Sequence, residues 1–285
     1  MFMNLSPGAI GVRASLSEAL ELAQAHGFAG VDFSIGEVTK MAAAASIDEV
    51  RDLFTRTGVR PGCWGLPVDW RGEERKWRED VAWLRRHAAL AQEIGCVRTA
   101  TWIPPVSDDR PFKENFEFHV QRFRPAAEVL RDYGCSLGLE FIGPKTSRAG
   151  HTYEFISTMD GMLELCETIG TGNVGLLLDA WHWYTAHGTL DDLRRLTKEQ
   201  VVTVHVNDAP AGIPVDEQMD NVRCLPGETG VIDLVGFLTA LDRIGYDGPI
   251  TPEPFNKRVN EMAPADAVRT TADALTRVWQ AAGLP

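Results

Sequence analysis

The segment VGLLLDAWHWYTAHGTLDDLRRLTKEQVVTVHVN, residues 174–207, sets the pattern of the whole chain. Two short apolar runs, 174–180 and 201–207, flank a longer stretch of helical character. Such alternation is typical of a parallel sheet wrapped by helices, because parallel strands need a long crossover between them. Counting every run of this kind gives eight candidate strands, at 9–14, 30–35, 59–64, 97–102, 136–142, 174–180, 201–207 and 249–254. Eight parallel strands close a (β/α)8 TIM barrel, which is the α/β fold that we predict.

Helix signals between these runs agree with the prediction. Ser15 and Glu18 have the spacing of a capping box, so a helix is expected over 16–26. An amphipathic stripe predicts a helix packed on the barrel, at positions Trp77, Val81, Leu84, Ala88 and Ala91. Pro125 lies within a further helical pattern and is expected to kink or split that helix. The chain has no linker-like or low-complexity segment, and its 285 residues are expected to form one domain, 1–285.

Composition excludes several classes of function. The chain has 28 Lys and Arg against 40 Asp and Glu, a net charge of −12, which would repel nucleic acid. It has neither the basic and apolar start of a signal peptide nor an apolar run of membrane-spanning length. We therefore expect a soluble, cytoplasmic protein with no nucleic-acid or membrane partner. The five cysteines form no C-x-x-C pair and are expected to be small buried hydrophobes.

Candidate chemistry lies on the last four strands. Because alternate residues of a strand face the same side, the residues expected to point at the barrel axis are Glu140, Asp179, His205 and Glu253. Each lies at the carboxyl end of its strand, where barrel active sites are found. Any one of them could be a salt-bridged acid or a structural histidine. Three carboxylates at one mouth would repel one another unless a cation neutralised them, so we predict a divalent-metal site. The oxygen-rich set suits Mn²⁺, Co²⁺ or Mg²⁺, and Zn²⁺ could also occupy it.

Three more residues are candidates for substrate binding. His182 reaches the mouth only if the chain leaves strand geometry after Asp179, and is otherwise a partner to a metal ligand. Arg223 lies in a long segment, 208–230, and is either a ligand for a substrate oxygen or an exposed loop charge. Trp102, at the end of a strand, either forms an apolar wall for a sugar or fills the barrel top.

These residues carry a resemblance to a known family. GLEFIG (138–143), GLLLDAWHW (175–183), VHVNDAP (204–210), R-x-x-PGE-x-G-x-ID (223–233) and ITPEPF (250–255) resemble the xylose isomerase-like TIM barrel superfamily, and within it most of all the 2-keto-myo-inositol (inosose) isomerases. The resemblance implies that the Glu, Asp, His and Glu named above hold the metal, Mn²⁺ being the first expectation. It implies that His182 and Arg223 contact the substrate. The same motifs serve 3-epimerases, hydroxypyruvate isomerase and inosose dehydratase. The second glutamate typical of 3-epimerases is missing from 141–147, which favours the inosose type.

The resemblance implies a metal-dependent isomerase or epimerase of a keto sugar or keto-cyclitol. Proton transfer beside a carbonyl would use Glu140 and Glu253 as acid and base. The alternatives are an inosose-type dehydratase with His182 as general acid, or a non-catalytic carbohydrate-binding barrel. The metal-dependent endonuclease branch would need more than the seven histidines present and a basic groove. A homodimer is expected by family analogy only.

Overall fold

The computed structural model describes residues 1–285 and contains a closed barrel of eight parallel strands. In chain order the barrel strands are β1 Phe2–Leu5, β2 Gly30–Phe33, β3 Arg60–Gly65, β4 Arg98–Ile103, β6 Ser136–Phe141, β8 Val174–Asp179, β9 Val201–Val206 and β10 Pro249–Pro252. Each strand pairs with the next, and β10 closes on β1. Two further strands, β5 Val106–Ser107 and β7 Tyr153–Glu154, form a small antiparallel ribbon outside the barrel. The predicted fold is confirmed.

Helices cover the outside of the barrel. Their bounds are α1 Leu16–Ala25, α2 Ile35–Ala44, α3 Ile47–Thr57, α4 Glu74–Glu93, α5 Phe112–Asp132, α6 Met159–Ile169, α7 Ala180–Thr185, α8 Leu190–Arg194, α9 Leu234–Arg243, α10 Lys257–Asn260 and α11 Pro264–Ala281. The capping box of Ser15 and Glu18 is present at the start of α1, with both of its reciprocal bonds. None of these helices combines the length and the apolar character that crossing a bilayer requires.

The core lies between the barrel and its helices. On α4 the predicted stripe faces inward, with Leu84, Ala88 and Ala91 fully buried. All five cysteines are free, and only Cys224 is not fully buried, which agrees with their expected role as small hydrophobes.

The first strand differs from the prediction. The run 9–14 is not a strand: residues Pro7–Ile10 form a short 3-10 turn, and Gly11 has a φ of 74°, which a strand cannot contain. Ile10 and Val12 are nevertheless buried, because this segment packs into the core. The strand is the shorter run Phe2–Leu5, which pairs with both β10 and β2.

Pro125 does not split its helix. α5 is continuous over Phe112–Asp132 and contains Pro125 in its interior. A proline there removes one backbone donor and crowds the preceding turn. Phe123, Ala126 and Leu130 are completely buried on both sides of it, so tertiary packing holds the two halves together.

The end of β10 presents a residue to the barrel mouth. The strand ends at Pro252, and the next residue, Glu253, donates its backbone N–H to the Val206 carbonyl at 2.9 Å. Prolines on both sides of Glu253 cannot donate to the ladder, so they mark the end of the strand while Glu253 stays in register with β9.

Candidate metal centre and substrate pocket

Four side chains meet at the carboxyl-terminal mouth of the barrel. They come from the ends of β6, β8, β9 and β10, in the order Glu140, Asp179, His205 and Glu253. Asp179 and His205 are direct register partners on neighbouring strands. One ligand atom from each of the four lies within 4.8 Å of the others. The structure thus brings together the four residues that strand alternation predicted to face the axis.

The donor atoms of this cluster fit a cation. Two ligand atoms on opposite sides of a divalent ion lie about 4.2–4.8 Å apart when each bond is about 2.1–2.4 Å long. Oε1 of Glu140 and Nδ1 of His205 are buried and have no hydrogen-bond partner. Buried polar atoms are normally satisfied, and these two ligand atoms, 3.9 Å apart and without a hydrogen-bond partner, fit the coordination of a cation.

The electrostatics of the cluster also favour a cation. Burial alone would lower the pKa of His205, but the carboxylates of Glu253, Glu140 and Asp179 outweigh it and raise that pKa to about 10. Burial, reinforced by the charge of Glu253, raises the pKa of Glu140 well above its usual range. Protons therefore accumulate on the cluster because its negative charge is in excess. A divalent ion would take the place of those protons, since carboxylate and neutral imidazole are the ligating forms.

Arg223 reaches into the same cluster from the long loop. Its Nη1 donates to Oδ2 of Asp179 at 2.7 Å and to Oε2 of Glu253 at 3.0 Å, and its Nη2 donates to Oδ1 of Asp220 at 2.8 Å. Only 3% of Arg223 is exposed, so the interpretation as a solvated loop charge is wrong. Burial alone would raise the pKa of Asp179, but the charge of Arg223 reverses that effect and lowers it. The guanidinium lies over the Phe255 ring, 4.6 Å from its centroid.

His182 also faces the cluster. The chain leaves strand geometry at once after Asp179, whose side chain accepts from the Trp181 N–H and caps α7. The Gly143 N–H donates to Nδ1 of His182, which places the ring proton on Nε2. That nitrogen lies 3.9 Å from Oε1 of Glu140 and from Oδ2 of Asp179. Burial lowers the pKa of His182 to about 4, so the ring is neutral at pH 7 and can present an N–H to a bound molecule.

The loop 208–230 is anchored at its base. Asp208 accepts from the backbone N–H groups of Ala209, Thr229, Gly230 and Ile232, which ties the two ends of the loop together. Its middle is linked to the β6 side of the mouth, where exposed Lys145 donates to Asp216 at 3.0 Å. These contacts fix the path that carries Arg223 into the mouth.

Trp102 lies at the rim of the mouth. It is the register partner of Glu140 on the neighbouring strand, so both side chains belong to the same inward face. Trp102 is 47% exposed, which excludes the interpretation that it fills the barrel top. The Arg71 guanidinium stacks on its ring, 4.0 Å from the centroid. Nearly half of the Trp102 side chain is thus open to solvent at the end of β4.

Three polar residues near the mouth were not predicted from the sequence. Asn207 donates to Oδ1 of Asp179 at 2.9 Å and so orients that carboxylate. Asp220 orients Arg223, and Asp32 lines the same cavity as His205. Asp32 could have been found by alternation, because Val31 and Phe33 on either side of it are core residues. Asp220 carries no such signal, since it lies in an irregular loop.

Proteins of similar sequence include isomerases and dehydratases. The family described as xylose isomerase-like TIM barrel matches the chain over residues 20–278. An inosose isomerase of Bacillus velezensis is 22% identical over 267 residues, covering 93% of this chain and 92% of that protein. A 3-dehydroshikimate dehydratase of Pseudomonas putida is 25% identical over 260 residues, covering 89% of this chain but 38% of that protein.

Two solved structures share the architecture. A xylose isomerase domain protein from Alicyclobacillus acidocaldarius superposes with a TM-score of 0.90 at 30% identity, covering 99% of both chains. The IOLI protein, crystallised with a zinc atom, superposes with a TM-score of 0.79 at 20% identity, covering 98% of both chains.

Proposed function

The chain belongs to the xylose isomerase-like TIM barrel family, and from this premise we propose that it is a divalent-metal-dependent isomerase or epimerase of a keto sugar or keto-cyclitol. The observation that carries the proposal is the convergence of Glu140, Asp179, His205 and Glu253 within 4.8 Å at the barrel mouth. The similarity to an inosose isomerase over nearly the whole of both chains favours a cyclitol of the inosose type.

The metal of this proposal is a divalent ion held by those four side chains. The zinc atom in the IOLI structure supports a divalent ion, and the oxygen-rich donor set keeps Mn²⁺, Co²⁺ and Mg²⁺ among the candidates. Such an ion, when bound, supplies Lewis-acid polarisation of a substrate carbonyl. We propose Mn²⁺ as the first ion to test.

The chain's own residues would carry the proton. Either Glu140 or Glu253 removes a proton from the carbon beside the carbonyl, and the other carboxylate or the same one returns it. Return to the neighbouring carbon gives an isomer, and return to the opposite face of the same carbon gives an epimer. The Nε2–H of His182 would donate to a substrate oxygen that gains negative charge during the transfer. The guanidinium of Arg223, whose N–H groups are held by Asp179, Glu253 and Asp220, would stabilise that charge through its own positive charge. Trp102 provides an apolar wall against the C–H face of the ring.

A dehydratase is the second candidate. It is favoured by the similarity to 3-dehydroshikimate dehydratase. Because the lowered pKa of His182 leaves its ring neutral, that ring would donate a hydrogen bond to the departing hydroxyl, and the carboxylic acid formed in the first transfer would supply the proton. The first proton transfer would be the same, but the β-hydroxyl would then leave as water and the product would contain a new double bond.

The test is a product analysis on a small panel. The protein, stripped with a chelator and reloaded with Mn²⁺ or Zn²⁺, is incubated with 2-keto-myo-inositol, fructose, tagatose and hydroxypyruvate, and products are followed by NMR. A new isomer that forms only with metal supports the proposal. An unsaturated product identifies the dehydratase, and no product from any compound would favour the non-catalytic alternative.

A further inference from the structure

The cavity beside the metal cluster contains a second, separate carboxylate. The cavity has a volume of about 620 Å³ and is lined by His205 at one side and by Asp32 of β2 at another. Its apolar lining includes Ala100 and Leu177, which lie inside the barrel. A volume in this range holds a small molecule of ring size. Asp32 is therefore placed to meet the part of a bound molecule that does not reach the four ligands.

Asp32 is held in place by one of its two oxygens only. Its Oδ1 accepts from Nδ2 of Asn4 at 2.7 Å and from the Cys63 N–H at 2.8 Å. Gly62 makes room for this arrangement, since a Cβ there would lie 2.6 Å from the same oxygen and 2.2 Å from Oδ1 of Asn4. No protein group donates to Oδ2. The carboxylate is thus oriented from behind and keeps a free acceptor on the cavity side.

The free oxygen of this partly buried carboxylate is available to a donor in the cavity. Desolvation is the largest influence on Asp32 and raises its pKa to about 6, although the bonds from Asn4 and Cys63 and the charge of His205 oppose it. A carboxylate oxygen with a free acceptor position binds a hydroxyl donor through a charge-assisted hydrogen bond, and its charge repels a second anion. The orientation and the negative charge of Asp32 therefore favour a hydroxyl group and disfavour an anionic group at this position.

We propose that Asp32 binds a hydroxyl group of an uncharged polyol, on the part of the substrate remote from the metal cluster, and so selects against substrates that carry a carboxylate or phosphate there. This inference rests on the proposed function and narrows it to neutral sugars and cyclitols. The other charged residues of the cavity wall do not reverse this preference for an uncharged substrate. His205 is one of the four proposed metal ligands and is neutral when it binds a metal. Glu37 is engaged with the Leu16 N–H, and Arg13 is exposed at the rim, where water screens its charge.

The test uses Asp32→Asn with a matched surface control. Asparagine keeps an oxygen for the bonds from Asn4 and Cys63 but replaces the free acceptor with an uncharged donor. Asp52→Asn, on an exposed position of α3, changes the net charge by the same amount far from the cavity. Binding of myo-inositol and of 3-dehydroshikimate, a ring that carries a carboxylate, is measured by calorimetry on the Mn²⁺-loaded proteins. KM and kcat are measured for any keto compound that is turned over.

The expected result is a change in the relative affinities for the neutral and the carboxylated ring. Asp32→Asn should weaken binding of the neutral cyclitol roughly tenfold and strengthen binding of the carboxylated ring, whereas Asp52→Asn leaves both unchanged. The inference would be overturned if wild type and Asp32→Asn bound myo-inositol with equal affinity. It would also be overturned if wild type bound 3-dehydroshikimate more tightly than Asp32→Asn does. If Asp32→Asn shifts binding but no keto compound reacts, the inference holds and the proposed isomerase activity fails. If a keto compound reacts and its KM is unchanged in Asp32→Asn, the proposed activity holds and the inference fails.

Discussion

Nη1 of Arg223 lies 2.7 Å from Oδ2 of Asp179, inside the carboxylate cluster and away from the surface of the loop that carries it. The positive charge of the guanidinium therefore keeps Asp179 ionised, although the carboxylates of Glu140 and Glu253 lie close to it. We therefore expect the loss of this contact to affect metal binding, substrate binding and stability.

Replacing Arg223 by alanine should destabilise the protein without metal and raise KM for the substrate. The loss of a buried partner leaves carboxylates uncompensated, which costs about 3 kcal/mol of unfolding free energy. Mn²⁺ should restore more stability to Arg223→Ala than it adds to wild type, because the ion replaces the missing charge. Urea unfolding with and without Mn²⁺ measures both effects. Arg195→Ala, whose side chain is 65% exposed, is the control, and equal stability of the two variants would contradict the account.

Glu140→Gln should abolish turnover while substrate binding largely survives. The amide cannot accept or return a proton as the carboxylate does, so kcat should fall at least about a hundredfold. Steady-state kinetics and calorimetric titration with substrate separate the two effects. Glu21→Gln, on an exposed position of α1, should behave as wild type. Substantial activity in Glu140→Gln would remove Glu140 from its proposed role.

Trp102→Ala should raise KM several-fold with little change in thermal stability. The side chain is 47% exposed at the mouth, so truncation removes a surface for the substrate and little of the core. Trp102→Phe should keep most of the affinity, because an aromatic face remains. Trp83→Ala, on a residue 58% exposed on α4, controls for the loss of a surface tryptophan. A large drop in melting temperature with KM unchanged would show instead that Trp102 is structural.

His119 should make the fold sensitive to acid. It is buried on α5 against Trp70 and Phe155, with Nδ1 2.6 Å from the Asn115 carbonyl, and burial lowers its pKa to about 4. In the unfolded chain the pKa of histidine is about 6.5, so between these values the unfolded state binds the extra proton and stability falls as the pH falls.

The measurement compares wild type with His119→Phe by urea unfolding at about pH 7, 5.5 and 4. Relative to the variant, wild type should lose up to about 3 kcal/mol of unfolding free energy over this range. All other titrating groups are shared, so their contributions cancel in the comparison. Parallel pH profiles for the two proteins would mean that His119 does not titrate as described.

The sequence predicted the parts of this structure that follow a repeating pattern. Seven of the eight strands lie where apolar runs were found, and strand alternation placed Glu140, Asp179, His205 and Glu253 on one face because a strand has a period of two. The first strand was wrong because an apolar run does not reveal a positive φ such as that of Gly11. Asp32 follows the same alternation, but a lone inward acid gives no sign of its purpose.

The loop residues could not be placed by any such rule. Arg223 and Asp220 lie three residues apart in a segment without regular geometry, and their positions depend on tertiary contacts such as those of Asp208. His182 was predictable only on the condition that the chain turns after Asp179, which the capping of α7 by that residue provides. The positions of strand and helix residues follow from local periodicity, whereas the positions of loop residues depend on contacts with residues far away in the sequence.

Deuterium exchange is the most direct test of the proposed proton transfer. The Mn²⁺-loaded protein is incubated in D₂O with 2-keto-myo-inositol, and deuterium at the carbon beside the carbonyl is followed by NMR, with Glu140→Gln and a chelator-treated sample alongside. We expect incorporation together with a new isomer in the loaded wild type, and no new isomer in the two controls. A new isomer without deuterium would point to transfer of the same proton or to hydride transfer, and exchange that persists in Glu140→Gln would leave Glu253 as the base. The absence of both exchange and a new isomer in the loaded wild type would contradict the proposed proton transfer.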